Sequence, residues 1–124
     1  MIYLDTHVVV WLYMGEPSRL SDNAKHAVCE HELRISPMVI LELTYLREIG
    51  RLTTEPEVIS DFLGQALGLK VCRLPFEEVV LSAMTQAWTR DPFDRIIVGQ
   101  AARRQCGLLT KDEMIRENYS HAVW

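Results

Sequence analysis

Ile2-Tyr3-Leu4-Asp5-Thr6-His7-Val8-Val9-Val10-Trp11-Leu12 is the stretch on which the reading of the chain turns. A short apolar run closes on a carboxylate. A second apolar stretch follows, with Val8, Trp11 and Leu12 spaced for one face of a helix that starts at Thr6. This is the pattern of a buried strand that delivers an acid, at its carboxyl end, to the start of a helix. Gly15 and Pro17 end that helix.

The alternation repeats down the chain. Ser21 or Asp22 caps a helix continuing to about His31, and Leu33-Arg34-Ile35-Ser36 alternates as a second strand. Ser36-Pro37, a hydroxyl followed by a proline at the first helical position, opens a helix to about Ile49 that Gly50 stops. Another helix runs from Glu55-Pro56 to about Leu67, with Gly68 behind it. Leu69 to Arg73 reads as a third strand, Pro75 to about Trp88 as a helix, and Asp91-Pro92 to about Gln105 as a further helix closed by Gly107. Leu108-Leu109-Thr110 is a fourth strand and Ala122-Val123-Trp124 a short fifth. Strands alternating with helices specify an α/β fold, a parallel sheet covered on both faces. Functional groups then gather at the carboxyl ends of the strands.

Five acids stand against this apolar background. Asp5 ends the first strand. Glu42 interrupts Met38-Val39-Ile40-Leu41-Leu43, sharing a helical face with Met38, Leu46 and Ile49. Asp91 and Asp94 open Asp91-Pro92-Phe93-Asp94-Arg95-Ile96-Ile97-Val98, and Asp112 follows Leu108-Leu109-Thr110-Lys111. Each has an ordinary explanation: Asp5 and Asp91 as helix caps, Asp94 as an acid in a first helical turn, Asp112 as a turn residue. A carboxylate beside apolar groups nevertheless costs several kcal/mol or gives up its charge, and several together repel unless cations neutralise them. Capping alone suffices for Asp91, but for the others one shared cause accounts better: an oxygen-only site suited to Mg²⁺ or Mn²⁺.

A chain of 124 residues predicts one domain spanning residues 1–124, and 48% apolar with 24% charged residues is ordinary for a soluble globular protein. The longest apolar run, Val8 to Met14, is too short to span a bilayer, and no basic residue precedes the first apolar stretch as in a signal peptide. Cys29, Cys72 and Cys106 form no Cys-x-x-Cys pair and read as buried, reduced thiols of a cytoplasmic protein. The net charge of −4 argues against a general nucleic-acid coat. Arg90, Arg95, Arg103, Arg104, Lys111 and Arg116 lie near the C-terminus, as a solvated helix face or as a patch contacting phosphates.

Other chemistries lack their motifs. There is no Gly-x-x-x-x-Gly-Lys or Gly-x-Gly-x-x-Gly phosphate loop and no Gly-x-Ser-x-Gly elbow. Asp5-Thr6-His7 lacks the second acid, two residues on, of an aspartyl-phosphate phosphatase. The histidines have no metal-ligand spacing, and Trp11, Trp88 and Trp124 read as core or interface residues.

Tyr-Leu-Asp-Thr-His at residues 3–7, the mid-chain helix with Glu42, Arg-Asp-Pro-Phe-Asp-Arg-Ile-Ile-Val-Gly-Gln-Ala at 90–101 and Leu-Leu-Thr-Lys-Asp at 108–112 together resemble the PIN-domain family. Within it the match is to VapC-type ribonuclease toxins of toxin–antitoxin pairs. The resemblance implies a three-layer α/β/α sandwich with a central parallel sheet of four to five strands, and a metal-dependent nuclease that cuts RNA. It implies a catalytic and metal-holding quartet of Asp5, Glu42, Asp94 and Asp112, with Asp91 as an accessory acid and Thr6 and Thr110 as hydroxyls orienting carboxylates or water. One or two Mg²⁺ or Mn²⁺ ions are expected, with Glu42 as ligand or general base and Arg95 and Lys111 toward substrate phosphates. Expected partners are an RNA substrate, a cognate antitoxin and a second copy of the chain. The competing readings are a PIN-type nuclease for RNA processing or single-stranded DNA without an antitoxin, and a binding module without chemistry.

Overall fold

In a computed structural model describing all 124 residues, five parallel strands form one sheet in the order β3-β2-β1-β4-β5. The strands are β1 (Ile2–Leu4), β2 (Leu33–Ile35), β3 (Lys70–Val71), β4 (Gly107–Leu109) and β5 (Ala122–Val123). Seven α-helices connect or follow them: α1 (Thr6–Met14), α2 (Asp22–Glu30), α3 (Pro37–Glu48), α4 (Pro56–Leu67), α5 (Phe76–Ala83), α6 (Pro92–Arg103) and α7 (Glu113–Asn118). From β1 the chain steps outward to β2 and β3, then crosses back to β4 and on to β5. Right-handed crossovers of opposite direction put their helices on opposite faces, which makes the sandwich. The reversal leaves a crevice at the carboxyl ends of β1 and β4, where ligands of such sheets bind.

Local chemistry sets the helix starts as expected. The Ser21 hydroxyl accepts from the Ala24 N–H and that of Ser36 from Met38 N–H, while Pro37, Pro56 and Pro92 occupy first turns. Gly15 and Gly68 end α1 and α4 in the left-handed conformation, at φ 63° and 70°, where a side chain would be strained. The core is continuous: Leu4, Ile35, Val39, Leu43, Ile59, Val98, Leu109 and Ile115 are fully buried in one cluster.

Four expectations change. The helix from Pro75 ends at Ala83, five residues before Trp88, because its last turn tightens: the Thr85 N–H bonds Ser82 O and the Gln86 N–H bonds Ala83 O, and the Thr85 hydroxyl takes Ser82 O at 2.7 Å. Asp112, expected at most to be a turn residue, caps α7, a helix the sequence reading does not include, by accepting from the Ile115 N–H at 2.9 Å. On α3 the buried stripe is Val39, Leu43 and Leu46. Glu42 and Met38 stand half-buried at its margin and Ile49 is exposed, so Glu42 borders the core without lying in it. The cysteines are not uniformly buried either: Cys72 is, but Cys29 is exposed on the polar side of α2.

Helices α5 and α6 cross at Gly99. A Cβ there would lie 2.8 Å from the Ala83 backbone, too close for any side chain unless a helix moves. Gly99→Ala is expected to destabilise the fold by about 1–3 kcal/mol through overpacking. The measurement is a urea midpoint, which should fall with the slope unchanged.

Candidate active site

The sheet register builds the site. The Asp5 N–H donates to Leu109 O at 3.0 Å, continuing the β1–β4 ladder one residue past the strand, so Asp5 and Thr110 leave the sheet side by side. The Thr110 hydroxyl donates to Asp5 Oδ2 at 2.6 Å, and the Thr6 N–H donates to Asp5 Oδ1 at 2.8 Å. Asp5 is only 7% exposed, so these bonds fix its carboxylate. Thr110 Oγ1 in turn accepts from the Asp112 N–H at 3.0 Å, which ties Asp112 to Asp5 through one hydroxyl.

Helix α6 supplies two more acids. Asp91 is exposed and caps the helix, its Oδ1 accepting from the Phe93 and Asp94 N–H groups at 2.8 and 3.3 Å. Asp94 is half-buried at the start of the face that carries Val98 and Ala101 into the core. No ion pair involves Asp5, Glu42, Asp91, Asp94 or Asp112.

The carboxyls respond to this crowding. Desolvation, then the charges of Asp91, Asp5, Asp112 and Glu42, push Asp94 up to about 7. Desolvation also raises Asp5, against the bonds from Thr110 and Thr6 and the proximity of His7. Glu42 is raised by burial and by the charges of Asp5 and Asp91, with Thr6 and His7 opposing. Asp94 therefore sees all four other acids. The expected acids lie near enough to raise one another, and none of them is in an ion pair.

The two basic residues expected toward phosphates have these partners in the protein itself. The Arg95 guanidinium reaches the Ala83 and Met84 carbonyls at 3.4 Å, capping α5. The Lys111 ammonium lies 5.9 Å from the Trp11 ring centre, with Arg19 at 5.8 Å from the same ring. His7, which has no metal-ligand spacing, is exposed, with its ring tilted against Trp11 at 6.1 Å between centres, and favours the charged forms of Asp5 and Glu42. The i, i+4 spacing of His7 and Trp11 on α1 carried that signal.

A divalent ion fits these residues by two observations. The donors are all carboxylate oxygens, the set that suits Mg²⁺ or Mn²⁺. The Thr6 hydroxyl is buried without a hydrogen-bond partner, though close enough to Glu42 to favour its charge, and an ion's hydration shell would satisfy it. No three of the side chains stand at ligand distances from a common point, so closing around an ion requires side-chain rotation.

A three-layer parallel fold with acids at the β1–β4 crevice defines a class, and comparison agrees: residues 2–120 match the PIN domain. The chain belongs to the PIN-domain family. Ribonuclease VapC22 of Mycobacterium tuberculosis (strain ATCC 25618 / H37Rv) is 31% identical over 120 residues, covering 94% of this chain and 91% of that protein. The fold is shared with VapBC2 from Rickettsia felis bound to a DNA fragment from their promoter (TM-score 0.65, 18% identity, 98% of this chain and 96% of that one). It is shared equally with a toxin–antitoxin complex from Klebsiella pneumoniae (TM-score 0.68, 15% identity, 100% and 97%).

The carboxyl shifts set a pH dependence. Asp94, Asp5 and Glu42 bind protons more tightly folded than unfolded, so without metal their contribution to stability falls as pH rises. For Asp94 the window runs from its unfolded value of 3.8 to about 7. Solvent screening limits its share to on the order of 1–2 kcal/mol. In EDTA, Asp94→Asn should melt higher than the unsubstituted protein at pH 7.5 and equal it near pH 4, and Mn²⁺ should stabilise the variant less. Thermal melts across this range make the comparison.

Proposed function

We propose that the chain is a metal-dependent endoribonuclease, the toxin of a VapBC-type pair, held inactive by a cognate antitoxin. The observation that carries this is the cluster of Asp5, Glu42, Asp94 and Asp112 with no basic side chain paired to any of them. Such a cluster is costly to a fold and useful to phosphodiester hydrolysis. The curated relative named as a ribonuclease supports the activity, and the toxin–antitoxin assemblies among the related structures support the partner.

Asp5, Asp94 and Asp112, with Glu42, would hold one or two Mg²⁺ or Mn²⁺ ions. A divalent ion there supplies a lowered pKa for attacking water and charge to offset that building on the phosphate. The protein's own groups do the rest. Thr110 and the Thr6 N–H fix Asp5 in one rotamer, and Thr110 sets the backbone of Asp112. Glu42, half-buried and raised, can take a proton from the attacking water or serve as a further ligand. Asp91 aligns the first turn of α6 and so the height of Asp94. The Thr6 hydroxyl is free to orient water beside Glu42.

Protein partners have surfaces to meet. Phe76, Leu81 and Met84 on and just after α5 are 67%, 61% and 65% exposed, and Val58 and Phe62 on α4 are about half exposed. Apolar groups so displayed support both a second copy of the chain and an antitoxin. A basic side chain from the antitoxin would relieve the repulsion among the acids while blocking the site.

The test is cleavage of a mixed RNA pool by purified protein with Mg²⁺ or Mn²⁺, beside EDTA and Asp94→Asn. Cuts should appear with metal, vanish in EDTA, and fall by roughly 10²-fold or more in the variant, the cost typical of losing a group that stabilises developing charge. Full activity in Asp94→Asn would overturn the assignment, and cleavage confined to single-stranded DNA would replace RNA as substrate.

A further inference from the structure

A second charged site lies at the other end of α6. The strand register sets Tyr3, Arg34 and Lys70 side by side in one row across β1, β2 and β3. Cys72 follows two residues beyond Lys70, and Arg104 caps α6 above them. Together Arg34, Lys70, Arg73 and Arg104, with Val71 and Cys72, line an open cavity of about 460 Å³ that contains no acidic side chain. With Asp94 in its first turn and Arg104 at its end, α6 separates this cavity from the carboxylates by ten residues, about 15 Å of helix.

An ordinary basic surface is neutralised by its neighbours, and this one largely is not. Arg103 pairs with Glu78 at 2.9 Å, but Lys70, Arg73 and Arg104 pair with no carboxylate. Arg34 is the exception, held by Glu32 at 3.1 Å with its side chain only 17% exposed. An arginine at the centre of a three-residue inner strand is an expensive choice for a sheet that needs only packing there.

The floor of the cavity is a buried thiol. Cys72 is 6% exposed, and the Tyr3 hydroxyl donates to its Sγ at 2.9 Å. Burial pushes this thiol up, and its polar surroundings, the Tyr3 hydroxyl foremost, bring it below the ordinary range.

We propose that Arg34, Lys70, Arg73 and Arg104 form a phosphate-binding site, separate from the acidic crevice. The ligand is a phosphate group, borne either by an RNA strand or by a free polyphosphate such as a nucleotide tail. Guanidinium forks match phosphate geometry in pairs, and a cavity lined by four cations, three of them without a carboxylate partner, favours an anionic ligand. Nothing in this assignment requires that the acidic site cleave RNA.

The experiment uses the full chain in EDTA, so binding is read without catalysis. The triple variant Lys70→Ala/Arg73→Ala/Arg104→Ala changes exposed side chains only, and its melting curve confirms folding. One arm measures a single-stranded RNA 20-mer by fluorescence anisotropy over a range of salt. The other measures sodium tripolyphosphate by calorimetry. For RNA, the variant should bind at least ten-fold more weakly, with a plot of log K against log salt shallower by about 2, three contacts at about 0.7 each. For a free phosphate, tripolyphosphate should bind the unsubstituted chain and be lost in the variant. Loss in either arm supports the site and names its source. Unchanged RNA affinity together with no tripolyphosphate binding overturns it, whether or not the protein proves to be a nuclease.

Discussion

The hydrogen bond from Thr110 to Asp5 is the joint on which the site depends. It exists because β1 and β4 are neighbours in the sheet although about a hundred residues separate them in the chain. Ile2, Tyr3, Leu4, Leu108 and Leu109 are all buried, so close packing on both faces of the sheet holds this polar contact in register. The buried carboxylate then has a defined direction, and Asp112 inherits its position through the same hydroxyl. Stability and chemistry meet at one oxygen atom.

Around that joint the fold works against itself. Packing draws α3 and α6 toward the ends of β1 and β4, and with them come acids that repel. The energies are of similar size: burial of an apolar side chain is worth about 1.5–3 kcal/mol, and each crowded carboxyl costs on the order of 1 kcal/mol or more when charged. The core is large enough to win. The remaining strain is stored where a cation would release it, which ties folding to whatever ion or basic partner arrives.

Much of this was legible in the residues. Short apolar or alternating runs marked the strands, proline and serine marked helix starts, and the acids stood out because they broke apolar segments. What could not be read was long-range or fine in scale. Asp112 resembled a turn residue because a six-residue helix has too few positions to show a period. The early end of α5 depends on Thr85 bonding its own helix, a choice Thr makes only when the next segment leaves. Glu42 shared a face with apolar residues, but which of two adjacent faces turns inward on an apolar helix is decided by what packs against it. The basic cavity was invisible for the same reason: Arg34, Lys70 and Arg104 are scattered in sequence, and only the strand order brings them together.

The close approach of Gly99 to Ala83 has a mechanical consequence. With no side chain between them, α5 and α6 have almost no slack, so a tilt of one is handed to the other. The outer side of α5 displays Phe76 and Leu81 to solvent, while the first turn of α6 carries Asp94. A tilt of α5 would therefore carry α6, and with it the height of Asp94 above the crevice.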